Sequence, residues 1–512
     1  MANSYAGAGY QAVNGTQGSA GLCDRPMPIR PTLLAVPAIA LLVLLAGCRE
    51  PESGPITVSA IGGAPRLANP NRNALDAPSA MLTAAVAQGL VRFDQSGQIE
   101  PALAQSWTVS DDGMSYVFRL ARTTWPDGSE VKAEQVAERL RASASRASRN
   151  RLKPLLGAIA EILAMTDRVV EIRLKAPRPN FLQLLAQPEM AILRAGQGTG
   201  PFAAEPVPDS ATRLRLRALD EEETEAAPAL PDLLLRGERA ALAVARFDAG
   251  LTALVTGGTA IDLAIARAAT PAAAALRFDP VNGLFGLTVT SRGGLVGSAD
   301  GRRALSMAID RAALTAALRV PDLAPRASLL PGGIEEQPVP ALPAWNLDPL
   351  PVRQAAARAI VAAQAEAGPT KLRVAMPDGP GATLLFAHLR RDWRAIGVEA
   401  QRVGPAERAD LRFVDAVAPA GMASWYLRHF TCGASLVCDP QADAAMEAAR
   451  NATNPAERRQ GLAVADRLLA DAVPFIPLAA PVRWSLVSPR LIGFQPNAFA
   501  SHFLGTLIAQ RR

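Results

Sequence analysis

Two runs of alternating apolar and polar residues, Trp107-Thr-Val109 and Tyr116-Val-Phe118-Arg-Leu120, flank Asp111-Asp112-Gly113. Alternation of period 2 puts every second side chain on one face of a strand. Asp-Gly between two such runs is a hairpin turn, because glycine takes φ > 0 without strain. A helix cannot satisfy this pattern, so the chain must build an antiparallel sheet here. Trp125-Pro-Asp-Gly128 is a further turn, and Ala133–Ala144 reads as a helix with Val136 and Leu140 on one face. Lys132 stands where that helix should be capped and is a poor cap.

Strand and helix cues alternate along the rest of the chain. Ile56-Thr-Val-Ser-Ala-Ile61 is β-branched, bounded by Pro55 and Gly62-Gly63, and reads as a buried first strand. Arg66–Asn73 reads as a polar loop, and Ala80–Leu90 as a helix that stops at Gly89. Lys371–Met376, a turn at Pro377–Gly381, a helix to Ile396, then Gly397 and Val398–Val403 follow the pattern of a parallel βαβ unit. Its Gly-Pro turn matches neither glycine-rich phosphate motif. Asp410–Val414 is the next strand. Arg141–Lys153 and the acidic run Asp220–Glu223 read as exposed loops.

Near the start lies an apolar run, Thr32–Gly47, ending in Leu45-Ala46-Gly47-Cys48. At 16 residues it is shorter than the roughly 20 needed to span a bilayer. It contains Pro37, follows Arg30, and closes on small residues, as a secretory signal does. The run resembles a bacterial lipoprotein signal with its lipobox, which implies removal of 1-47, acylation of Cys48 and a tether over 48-55. Met27, just before Arg30, suits a start better than Met1, so the first 26 residues read as an extension.

What remains is about 465 residues, enough for two or three domains. Net charge is +6 with the basic residues scattered, which excludes a nucleic-acid binder. Of four cysteines, Cys23 precedes the signal and Cys48 is the acylation candidate. Cys432 and Cys438 are left, and in an exported chain so close a pair reads as a local disulfide. Closing so small a loop contributes roughly 2 kcal/mol in the chain-entropy model. The three histidines are His388, His429 and His502; His388 shares a helix face with Asp392 and reads as solvated. No Gly-x-Ser-x-Gly or His-Glu-x-x-His occurs, so no catalytic residue, metal site or cofactor is expected.

The stretch GLVRFDQSGQIEPALAQSWTVSDDGMSYVFRLARTTWPDGSEVKAEQVAERL closely resembles the opening region of the peptide/nickel/opine-type solute-binding proteins of ATP-binding-cassette importers, family 5. Collinear matches follow at Gly198-Thr-Gly-Pro-Phe202, Ala304–Arg311 and Ala463–Leu478. Gln88 replaces the usual Glu, and Lys132 the usual capping Thr. The resemblance implies an α/β, two-lobe periplasmic-binding-protein-like fold (type II, cluster C) with an inserted subdomain. Lobe I would comprise 56-270 and 481-512, with the subdomain at 81-190, and lobe II 271-480. A peptide or other small solute would be held between the lobes and passed to permease subunits. The chain would sit in the periplasm or at the cell surface, on the membrane through its lipid. The alternative within the same fold is an envelope sensor or scaffold. Peptide-binding relatives fix peptide termini with an Asp and an Arg. In the corresponding loop, 415–425, Asp415 is the only acid and Trp425 could stack on a ligand; Arg66 and Asn69, after the first strand, are further candidates. Trp125 and Trp345 read as structural.

Overall fold

Strand β1 (Ile56–Ile61) is the first element among the described residues, with Val58 and Ala60 buried, and is followed by a helix at Ala77–Val86. The computed structural model describes residues 54–209, 211–217, 231–269, 272, 274–334, 339–364 and 370–509. The signal run, Cys23, Cys48 and the acidic run Asp220–Glu223 lie outside them.

A subdomain comes next. A ribbon of β2 (Val91–Phe93) and β3 (Ile99–Pro101) leads into β4 (Ala104–Val109), β5 (Ser115–Leu120), β6 (Ile159–Thr166) and β7 (Val169–Leu174), which form a sheet in the order β4-β5-β7-β6. The chain returns to the sheet of β1 with β8 (Phe202–Val207), β9 (Ala211–Leu216), β10 (Leu233–Glu238), β11 (Leu254–Thr259) and β12 (Leu276–Asp279). It then crosses to a second sheet with β13 (Gly283–Val289), β14 (Thr370–Ala375), β15 (Val398–Val403), β16 (Leu411–Val417) and β17 (Phe475–Pro477), and comes back as β18 (Arg483–Val487). The first sheet runs β12-β18-β11-β1-β10-β9-β8 and the second β15-β14-β16-β13-β17. Strand β1 lies at the centre of the first, parallel to β10 and β11, where both faces are covered and an apolar run is needed. The crossings fall at 280–282 and 478–482, so β12 belongs to the first sheet although 271 was the expected boundary.

The Asp-Gly hairpin forms in the expected register, with Trp107 opposite Phe118 and Val109 opposite Tyr116. Gly113 has φ +67°, the left-handed conformation the turn requires. Phe118 and Leu120 point inward against Val170, Ile172 and the Val136 and Leu140 face of the helix Ala133–Ala144. That helix starts without a cap from Lys132. Gln135 Oε1 accepts the Lys132 N–H at 3.2 Å, and the Asp167 carbonyl accepts that of Ala133 at 2.8 Å. These bonds satisfy donors that a Ser or Thr cap would otherwise hold.

Three local expectations need correction. The first helix spans Ala77–Val86 rather than Ala80–Leu90, because Asp76 caps it by accepting the Ser79 N–H at 3.1 Å, and Gln88 has left the helix to pair with Ile192. Its Leu82, Ala85 and Val86 pack on the first sheet. Within Arg141–Lys153 the helix persists to Ala144, and Ser148 and Asn150 turn inward. Asn150 Nδ2 donates to the Glu189 carbonyl at 2.8 Å and to Asn71 Oδ1 at 3.1 Å. Short polar side chains thus satisfy buried backbone while the arginines stay outside. Finally, the strand expected to end at Val414 continues to Val417, because β13 pairs with it throughout, Phe285 opposite Asp415 and Gly283 opposite Val417.

The βαβ unit is as read: β14 and β15 are parallel, joined by the helix Pro380–Arg394. Trp125 and Trp345 are buried, Trp125 donating from Nε1 to Gln135 Oε1 at 2.9 Å. Cys432 and Cys438 are joined, with their Cα atoms 4.9 Å apart, within the range a disulfide bridges.

Trp484 is buried flat over Gly258, and its Nε1 donates to the Thr259 carbonyl at 2.8 Å. A Cβ on Gly258 would lie 2.1 Å from the indole ring, with neither side free to withdraw. We expect Gly258→Ala to lower stability by about 3 kcal/mol, the upper part of the overpacking range. Urea unfolding checks this; an unchanged midpoint would mean the indole is not seated there.

Candidate functional site

Between strands of the two sheets lies a cavity of about 370 Å³. Its walls come from every major body of the fold. The first helix supplies Ala77, Ala80, Met81 and Ala84; β11 supplies Thr256, Gly257 and Thr259. Asp415, Ala416 and Val417 come from β16, and Arg483 and Trp484 from β18. The C-terminal segment adds Phe499–His502, and the subdomain adds Arg151 and Gln187–Glu189. A larger hollow of about 1290 Å³ lies between the turn at 122–130 and the loop at 196–201, but the second sheet contributes nothing to it. The smaller cavity is lined by strands of both sheets and so can be opened or shut by movement of one against the other, which makes it the candidate site.

Its charged groups meet across the sheets. Arg483 Nη1 donates to Asp415 Oδ1 at 2.7 Å and to the Val482 carbonyl at 2.9 Å. The two side chains are 16% and 12% exposed. Sequence puts them there by simple means. Leu411, Phe413, Asp415 and Val417 share one face of β16 by alternation, and Phe413 meets Phe285 edge-on at 5.1 Å. Arg483 is the first residue of β18, immediately after the chain has crossed back. Burial pushes the Asp415 carboxyl up, and Arg483 pulls it partly down again. Asp262 is nearby; burial raises it too, and the charge of Asp415 adds to the effect.

At the cavity's rim, His502 Nε2 lies 3.2 Å from Asp279 Oδ2, both side chains 3% exposed. Asp279 Oδ1 accepts the Asn497 N–H at 2.9 Å. The C-terminal segment is thereby tied to the last residue of β12, where the chain leaves the first sheet. On the subdomain side, Gln187 Nε2 donates to the Pro419 carbonyl at 2.7 Å and Asn180 Nδ2 to the Gly421 carbonyl at 3.1 Å. The loop after β16 therefore rests on the subdomain.

Of the four ligand candidates read from the sequence, the cavity contains Asp415. Trp425, half-buried in the helix Ala423–Arg428, stands edge-on to Tyr426 at 4.8 Å and packs between the subdomain and second-sheet cores. Arg66 and Asn69 are exposed in the segment leading to the first helix; Asn69 Oδ1 accepts the Asn71 N–H at 2.9 Å. None of these three lines the cavity around Asp415. Arg483, Asp279 and His502 were not anticipated. An arginine set between Val482 and Trp484 in an otherwise apolar run was a signal for a buried cation, but its partner is distant in sequence. His388 is half-buried on its helix, and burial pushes it down; the neighbouring Asp392 is fully engaged by the Asp310 N–H and Arg391. Among the described residues, no cluster of three or more His, Cys, Asp or Glu could hold a metal ion.

Residues 98–213 match the family described as "Bacterial extracellular solute-binding proteins, family 5 Middle". The chain is 28% identical over 192 residues to the nickel-binding periplasmic protein of Escherichia coli K12, covering 34% of this chain and 35% of that one. The curated relatives are thus matched over about a third of their length or less. Among solved structures, the Haemophilus influenzae OppA complex with RPPGFSPFR superposes with TM-score 0.76 at 16% identity, covering 89% of this chain and 98% of that one. The Escherichia coli murein tripeptide binding protein MppA does so with TM-score 0.76 at 18% identity, with the same coverage. At these identities the superpositions speak to the fold, which is the two-lobe type II fold expected from the sequence.

Proposed function

We propose that this chain, with a family 5 middle segment set in the fold of the oligopeptide-binding proteins, is the solute-binding component of an ATP-binding-cassette importer. It captures a small solute between its lobes and delivers it to a membrane permease. The Asp415–Arg483 pair carries the reading: a carboxylate from the second sheet and a guanidinium from the first meet across a cavity that both sheets line. A solute seated against that pair touches both lobes and so favours the shut form over the open one by its differential affinity. The shut form is what a permease would distinguish.

The test is a thermal-shift screen of peptides, amino acids, sugars and metal chelates, followed by small-angle scattering with each hit. A hit should reduce the radius of gyration. A screen with no stabilising solute, or hits that leave the scattering unchanged, would refute the clamp.

Anchoring at Cys48 belongs to the same proposal. No helix among the described residues is long and apolar enough to cross a membrane. Each buried acyl CH₂ contributes about 0.8 kcal/mol, so two or more chains hold a protein stably where one does not. Mass spectrometry of the membrane fraction should find a mature N-terminus at Cys48 bearing acyl groups, and Cys48→Ser should release no processed chain. An unmodified Cys48 in mature protein would refute the anchor.

A further inference from the structure

We infer that Arg178, Asn180, Gln183 and Gln187 of the subdomain, with the 418–422 loop that follows β16, form a latch between the lobes. Its making and breaking sets how far the empty chain stands open. This rests on the clamp reading above and adds the contact on which the clamp closes.

The path of the chain is the first ground. It enters the subdomain from the helix Ala77–Val86, which packs on the first sheet, and leaves it for β8 of the same sheet. Further ties lie on that side. The Arg149 N–H donates to the Asn71 carbonyl at 2.8 Å and the Gly200 N–H to the Val86 carbonyl at 2.9 Å, while Phe93 stacks on Phe499 at 4.2 Å. The subdomain is thus fastened to the first lobe. It meets the 418–422 loop by contacts that no covalent link enforces, and such contacts can part when the crossings bend.

The second ground is what those contacts are. At their centre sit Ala420 and Met422, 2% and 3% exposed, which complete the subdomain core beside Phe181, Leu184, Leu185 and Ile192. Withdrawing them would return apolar surface of both partners to water. Around this plug runs a polar collar. Gln187 and Asn180 donate to the Pro419 and Gly421 carbonyls, and the Gly421 N–H donates to Gln183 Oε1 at 3.3 Å. Backbone atoms supply every partner on the loop side of the collar. Farther along the second lobe, Arg178 Nη2 donates to the Arg450 carbonyl at 2.7 Å, in the last turn of the helix Pro440–Asn451. Carbonyls of that turn lack partners within their own helix, and the helix dipole favours a cation there.

Latch and solute therefore act on one equilibrium. The latch shuts a fraction of the empty chain, and a solute that binds the shut form better draws over the rest. Asn180 and Gln183 do not line the cavity, so they act as positioning residues through the loop alone.

Small-angle scattering of the mature chain without added solute tests this. Asn180→Ala with Gln183→Ala removes two collar bonds, and Met422→Asp sets a carboxylate in the plug. Each should raise the radius of gyration of the folded, empty chain, Met422→Asp the more, with the circular dichroism of the parent retained. A role in stability alone would lower the urea midpoint and leave the folded radius unchanged. If Met422→Asp fails to fold, the Asn180–Gln183 double variant, which only truncates side chains in the collar, carries the test. A double variant with the radius of the parent would overturn the latch. If a solute from the screen still compacts the parent in that case, the clamp stands without the latch. An expanded double variant, with no solute that compacts the parent, would keep the latch and remove the clamp.

Discussion

Arg483→Leu should lower the stability of the ligand-free chain by about 3–5 kcal/mol, the usual cost of stranding one member of a buried ion pair. Asp415 would keep its place on β16, opposite Phe285 and 12% exposed, with its cation gone. The double replacement, Asp415→Leu with Arg483→Leu, should recover most of that loss, since apolar residues of similar volume often replace a buried pair at no cost. Solute binding should disappear in both variants. The pH profile gives a further check. Burial already pushes the Asp415 carboxyl up, and without Arg483 it rises further. The Arg483→Leu penalty should therefore shrink on acidification, as Asp415 takes up a proton and its charge is removed. Urea unfolding at several pH values measures both effects. Equal stability of the single and double variants would show that the pair is not buried as described.

A second large effect lies in the second lobe, away from the cavity. Asp466, on the helix Pro455–Ala472, is fully buried. Its Oδ2 accepts the Ala341 N–H at 2.7 Å, and Oδ1 has no partner among the described residues. Burial pushes its carboxyl up from 3.8 to about 6. A raised carboxyl disfavours the folded state once it ionises. The penalty is absent below the unfolded value, grows as pH rises through the folded one, and is complete near neutrality. At about 1.4 kcal/mol per unit, it amounts to roughly 3 kcal/mol. Asp466→Asn keeps an acceptor for Ala341 and removes the charge. The variant should be more stable than the parent by about that amount at neutral pH, with the difference vanishing toward pH 4. A constant difference across pH would mean that Asp466 does not ionise in the folded state over this range.

Much of the architecture could be read from local signals. The Asp-Gly hairpin, the helix Ala133–Ala144, β1 and the unit of β14, the helix Pro380–Arg394 and β15 each rest on residues that act within one or two turns of chain. Periodicity and turn chemistry reach that far. What escaped depends on partners distant in sequence. Asp415 and Ala416 are poor strand formers, so β16 looked finished at Val414; pairing with β13 overrides that preference. Ser148 and Asn150 looked like loop residues because their acceptors, Glu189 and Asn71, lie on other segments. The site shows the same division. A lone acid in a loop drew notice to Asp415, whereas Arg483 is 68 residues away and reaches it only because the chain crosses back between the sheets. Trp425 is an aromatic whose chemistry suits either a ligand or a core, and it stands half-buried against the subdomain and second-sheet cores.

The most direct test of the account is native mass spectrometry of the mature chain after incubation with a low-molecular-mass extract of its own cells. The account predicts one bound small solute at one copy per chain. That species should be absent when Asp415→Asn and Arg483→Gln are combined. A chain that emerges without any adduct, or a double variant that retains the same adduct, would contradict it.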